Sequence, residues 1–205
     1  MVEDVIRLEG VTVVIPHLPE REDLCRRALD SVLRQTEQPW GVIVEWAKEG
    51  EDAATVRNRA LAAVRTRWIA WLDDDDEFLP HHLQVCMDAA RETGADLVYP
   101  GMWIEGRSDP LAVSVGGKWI NPFGVTFGQE QEMHLRFAGN FIPVSYVVRT
   151  ELVCSVGGFP PPTKKIPEDH GLLIRLLDAG AKFHHVPVRT WRYHVHDANT
   201  GGVRQ

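Results

Sequence analysis

Apolar positions follow two alternating rhythms over the first hundred residues. Val11-Thr12-Val13-Val14-Ile15-Pro16 is an almost unbroken β-branched run, the pattern of a strand buried on both faces. From Glu20 to Gln35 the period becomes helical, with Leu24, Ala28 and Val32 on one stripe and Leu29 and Leu33 beside it. Val42-Ile43-Val44 predicts a second strand, and Ala53, Val56, Ala60 and Val64 a second helix. Trp68-Ile69-Ala70-Trp71-Leu72 predicts a third strand. A helix over Pro80–Glu92 follows, opened by its proline and stopped by Gly94, and Asp96–Tyr99 reads as a fourth strand. Elements of these lengths in this alternation predict βαβ units with right-handed crossovers around a parallel sheet.

The second half is less regular. Residues 101–140 carry Gly, Pro and scattered aromatics without a sustained period and predict loops and short strands. Phe141–Val148 predicts a strand, Thr150–Ser155 a short helix and Gly157-Gly158 a turn. Leu172, Leu173, Leu176 and Leu177 line a helix over Glu168–Ala179 that Gly180 caps. Lys182–Val188 and Thr190–Val195 predict two closing strands, followed by a polar tail. No repeat, low-complexity tract or linker divides the chain. One α/β domain over 1–205 is expected, with a nucleotide-binding half in 1–100 and a smaller mixed half in 101–205.

Composition narrows the class. At 205 residues, 44% of them apolar and 25% charged, the chain is long enough to bury a core and too apolar to be disordered. Acids outnumber bases by 29 to 22, a net charge of −7, which speaks against nucleic-acid binding through a broad cationic surface. Cys25, Cys86 and Cys154 are scattered and form neither a disulfide framework nor a CxxC knuckle. No apolar run reaches the roughly 18 residues of a membrane span, and the first residues lack the apolar stretch expected of a secretion leader. A reduced, cytoplasmic setting is expected.

Candidate chemistry sits in three places. Asp73-Asp74-Asp75-Asp76-Glu77 begins where the third strand ends, and open parallel sheets bind ligands at the carboxyl ends of their strands. Five adjacent carboxylates need solvent or a cation; oxygen-only donors suit Mg²⁺ or Mn²⁺, while a solvated acidic loop is the plain alternative. Glu168-Asp169 opens a helix, where either acid can be a general base or merely favour the helix N-terminus. His194 and His196 alternate on a strand, a spacing open to metal binding or to a structural role; the adjacent His184 and His185 read as structural. Trp103, Trp119, Phe123 and Phe127 are candidates for stacking on a sugar or base, or for simple packing.

Together these segments resemble the family 2 glycosyltransferases of the GT-A fold. Ile15-Pro16 resembles the family's opening strand end, with His17-Leu18-Pro19 where Thr/Ser-Tyr-Asn is usual. The segment from Arg26 to Thr36 resembles its first helix, Val56-Arg57-Asn58-Arg59-Ala60 its Ala-Arg-Asn segment, and Trp68 to Pro80 its strand and acidic loop. Gly157-Gly158-Phe159 with Glu168-Asp169 is similar to its acceptor-side motif, and Val195-His196 with Asn199-Thr200 to its late histidine segment. The resemblance implies a Rossmann-like nucleotide-binding half with a mostly parallel sheet, plus a mixed acceptor-side region.

It implies an inverting hexosyl transfer from a nucleoside-diphosphate sugar, a UDP-sugar first, to an acceptor hydroxyl. The acceptor would be a glycan, a lipid-linked glycan or a modified phage DNA base, nucleic acid being disfavoured by charge. By resemblance, Mn²⁺ or Mg²⁺ would be held by Asp75, Asp73 and His196, with Asp74 and Asp76 in support. Pro16, Glu45, Arg57, Asp73 and Asp74 would meet the nucleotide; Asp169 would be the base and Glu168 its neighbour. Where the family pairs two acids after its second strand, this chain has Glu45-Trp46. A nucleotidyltransferase and a non-catalytic sugar-nucleotide binding module remain alternative readings.

Overall fold

The structure is a computed structural model and describes residues 8–105 and 126–195. Its elements follow the hydrophobic rhythm closely at first. β1 (Leu8–His17) carries the β-branched run, and after a tight turn at Pro19–Arg21, α1 (Glu22–Leu33) lays Cys25, Ala28 and Val32 onto the sheet. β2 (Gly41–Trp46), α2 (Ala53–Leu61) and β3 (Thr66–Trp71) repeat the unit; Asp52 caps α2 by accepting from Thr55 N at 2.8 Å. The two-residue β4 (Glu77–Phe78) precedes α3 (His82–Thr93), which ends on Gly94 at φ 64°, left-handed backbone that glycine adopts freely. The remaining elements are β5 (Leu97–Glu105), α4 (Gln129–Phe137), β6 (Val147–Arg149), α5 (Thr150–Ser155), α6 (Glu168–Asp178) and β7 (Phe183–His194).

One seven-stranded sheet results, in the order β2-β1-β3-β6-β5-β7-β4. β1 runs parallel to β2 and β3, and β5 parallel to β7; β6 and β4 are antiparallel to their neighbours. Most strands therefore share one direction. Alternation along each central strand feeds two apolar layers. Val14, Ile69 and Trp71 pack with α2, α5 and α6 on one face, while Val13, Ile15, Ala70 and Leu72 pack with α1 and α3 on the other. That double burial explains why these strands lack a polar face.

Three elements differ from the sequence expectation. The strand expected over 141–148 shrinks to β6, because Pro143 has no donor and Ser145 N turns back to Pro143 O at 2.8 Å. α4 forms where loops were expected; Gly128 N donates to Gln131 Oε1 at 2.9 Å, and only Gln131 and Leu135 are buried. The two closing strands are one: β7 bulges at Pro187-Val188, with Val186 paired to Pro100 and Arg189 to Gly101. Among the described residues, no helix is long and apolar enough to cross a membrane.

The carboxyl ends of β1, β2 and β3 finish side by side. Pro16 pairs with Glu45 and His17 with Trp46, while Leu72 N donates to Val14 O at 3.0 Å. Everything that follows is built on this edge.

Candidate active site

Past Leu72 the chain turns through four aspartates whose environments differ sharply. Asp74 points into the protein. Its Oδ2 accepts from His17 Nδ1 at 3.0 Å and Leu18 N at 2.8 Å, and its Oδ1 from Arg21 at 3.2 Å. It ties the loop to the end of β1. Arg21 also donates to Asp75 Oδ2 at 2.7 Å, and Arg27 to the Asp75 carbonyl at 2.8 Å. These cations hold an otherwise self-repelling loop together.

The other three acids converge. One oxygen each of Asp73, Asp75 and Asp76 lies within 4.8 Å of the others. Such a set of hard oxygen donors fits Mg²⁺ or Mn²⁺. Burial, and then repulsion from Asp73 and Asp75, pushes the Asp76 carboxyl well above its usual range. A divalent cation at these oxygens would offset that repulsion. Asp76 Oδ1 also accepts from His194 N at 3.0 Å, and His194 Nε2 lies 2.9 Å from Glu77 Oε1. The end of β7 thus closes one side of the acidic loop.

Arg57 closes the other. From α2 its buried guanidinium donates to Asp73 Oδ1 at 2.6 Å and to Glu168 Oε1 at 2.7 Å. Burial disfavours the cation, but Asp73 and Glu168 outweigh it and raise the Arg57 pKa. The adjacent Asn58 clamps the turn before α6, donating to Phe159 O and accepting from Phe159 N, both at 2.8 Å. Gly158, at φ 71°, permits this approach: a Cβ there would run into the Asn58 side-chain oxygen. Arg59 faces the opposite way, donating to Glu45, Glu51 and the Trp46 carbonyl, each at 2.6 Å.

At the head of α6, half-buried Asp169 accepts from His170 N at 2.7 Å on Oδ1 and from Asn140 Nδ2 at 2.8 Å on Oδ2. Burial raises its pKa above the usual value. His170 reaches the Leu135 carbonyl at 2.6 Å and anchors α6 to α4.

The structure therefore brings together Asp73, Asp75, Arg57, Glu168 and Asp169 from the sequence-based set, with Pro16 and Glu45 at the neighbouring strand ends. It gives Asp74 a scaffold of its own, and it adds Asp76 to the cation-fitting group. His196, Trp119 and Phe123 lie outside the described residues. Phe127 packs on Phe183 and Trp103 lies under Arg189, while His185 is buried against Tyr99. Arg21 and Asn140 went unnoticed in the sequence reading as partners of the acids, since nothing local in sequence marks a partner 53 or 29 positions away.

A mostly parallel sheet with a cation-fitting acidic loop at the carboxyl end of β3 defines the class: this is a GT-A fold. The model of glycosyl transferase family 2 matches residues 37–137, just under half of the chain. Among solved structures, the chain is similar to S. aureus TarS 1–349, with a TM-score of 0.66 and 14% identity over 90% of this chain and 60% of that one. The same TarS segment in complex with UDP-GlcNAc gives 0.68 and 13%, covering 95% and 62%. Its complex with UDP gives 0.63 and 14%, covering 91% and 60%. This chain thus spans about three fifths of those neighbours' length, and at such identity the likeness is one of fold. No curated protein matches it.

Proposed function

We propose that this chain transfers one sugar from a nucleoside-diphosphate sugar to an acceptor hydroxyl in a single inverting displacement. The observation that carries this reading is Arg57, whose two hydrogen bonds tie the acidic loop to the head of α6. A UDP-sugar is the donor favoured by the family match and by the UDP-GlcNAc and UDP held in the similar TarS structures.

Asp73, Asp75 and Asp76 would hold Mg²⁺ or Mn²⁺, and the bound ion would supply positive charge to the departing diphosphate. Of the two acids at the head of α6, Glu168 is committed to Arg57, which leaves Asp169 as the base. Asn140 orients its carboxylate, and each oxygen keeps a further lone pair for an incoming O–H. The acceptor oxygen forms its bond to the anomeric carbon as the carbon–oxygen bond to diphosphate breaks. The bonding pair leaves with the diphosphate and the acceptor proton passes to Asp169. Attack opposite the leaving group inverts the anomeric centre. With a net charge of −7, a glycan or lipid-linked glycan suits the acceptor side better than DNA. The setting proposed for the reaction is the cytoplasm.

The test is Asp169→Asn. Turnover is expected to fall roughly 10²–10⁴-fold while the donor KM stays nearly constant. Near-normal turnover, or a product of retained anomeric configuration, contradicts the proposal.

A further inference from the structure

At the end of β2, apart from the cation-fitting acids, stands an aromatic side chain that the reaction scheme does not use. Trp46 is 53% exposed, yet both its backbone and its ring are held. Its carbonyl accepts from Arg59 at 2.6 Å, and the next residue, Ala47, donates its N–H to His17 O at 2.8 Å. Its indole meets the His17 ring at 4.4 Å between centroids and 79° between planes. His17 is fully buried, and its Nδ1 is bonded to Asp74. Asp74 is the acid that the cation-fitting trio leaves out. A continuous line Asp74–His17–Trp46 therefore runs from the acidic loop to an indole presented to solvent.

A large apolar ring left in water but fixed in orientation suits a flat ligand that stacks on it. It stands at the carboxyl ends of β1 and β2, beside the loop read here as the diphosphate end of the donor. We infer that Trp46 is the stacking platform for the donor's nucleobase, and that His17, braced by Asp74, is the positioning residue that sets its angle. The inference rests on the glycosyltransferase reading and deepens it. Stacking engages the π-face that every base possesses, so the platform accepts purine as well as pyrimidine nucleoside diphosphates. Discrimination among bases then comes from their edges, near Glu45 and Arg59.

Calorimetric titrations with Mn²⁺ present test this, using UDP, GDP and inorganic pyrophosphate as probes. Trp46→Ala is expected to weaken UDP and GDP roughly 5- to 150-fold, the range for losing one stacked base, and to leave pyrophosphate affinity unchanged. Trp46→Phe keeps a ring and should retain most of the UDP affinity. His17→Ala should weaken UDP by less than Trp46→Ala does, again sparing pyrophosphate. UDP affinity unchanged in Trp46→Ala overturns the platform while leaving the diphosphate site standing. An equal loss for UDP and pyrophosphate also overturns it, because the substitution then acts on the loop. If neither probe binds the wild-type protein, the platform falls together with the transferase reading beneath it.

Discussion

Arg57 and the acids around it share one cation among several charges. Asp73 and Glu168 stand on different elements, 95 residues apart in sequence (168 − 73), and would repel one another if Arg57 did not lie between them. Among the described residues Asp169 makes no such ion pair: its two bonds come from a neutral amide and a backbone N–H, and burial raises its pKa. A base works only when deprotonated. The activity of the wild-type protein should therefore rise with pH through a value above that of an ordinary carboxylate, about 4. A profile of kcat/KM against pH measures this directly. An acidic limb at or below that ordinary value would show that Asp169 is not the group titrating. At this scale the resemblance gave Asp74 and Asp76 the same supporting role, and the sequence held no sign of their different surroundings. Four consecutive aspartates look alike in one dimension, and only folding turns Asp74 inward to His17 and Leu18 while Asp73, Asp75 and Asp76 converge.

Among the elements, α2 is the one that joins the two halves of the cleft. Arg57 holds the acidic loop, Asn58 holds the Gly157-Gly158 turn, and Arg59 holds the end of β2. Three successive side chains of one helix reach three separate segments because each step turns the helix by about 100°. The Gly158 position depends on that clamp. Gly158→Ala would carry a Cβ against Asn58 in left-handed backbone and is expected to destabilise the fold by about 1–3 kcal/mol. It should also raise KM for the acceptor by displacing the head of α6. Urea unfolding with steady-state kinetics checks both, and an unaltered midpoint would contradict the clamp.

Elements with a strong period were legible in the sequence: β1, α1, β3, α3 and α6 lie within a few residues of their predicted places. Those that failed had physical reasons. β6 is three residues long and is held by pairing on both sides, with Trp68 opposite Arg149 and Leu97 opposite Val148. α4 exposes Met133 and Phe137, so its apolar residues do not trace a buried stripe. The sequence reading divided β7 at Arg189, whereas the sheet carries one strand through with a bulge at Pro187-Val188.

For the molecule as a whole, the net charge of −7 is not spread evenly: acids gather at the carboxyl edge of the sheet, where Arg21, Arg27 and Arg57 are drawn in to offset them. Two apolar layers keep that edge rigid, and the strand order brings the ends of β1, β2, β3 and β7 to the same side. The central claim is that one cation at the acidic loop looks directly onto the head of α6. Mn²⁺ is paramagnetic and broadens the amide signals of nearby residues, so titrating it into ¹⁵N-labelled protein reads that geometry. Saturable broadening is expected at residues 73–77, at Arg57 and at 168–170 together, with the amides of Arg91–Gly94 at the far end of α3 left sharp. Broadening confined to residues 73–77, or none that saturates, would contradict a cleft shared by the cation loop and the proposed base, Asp169.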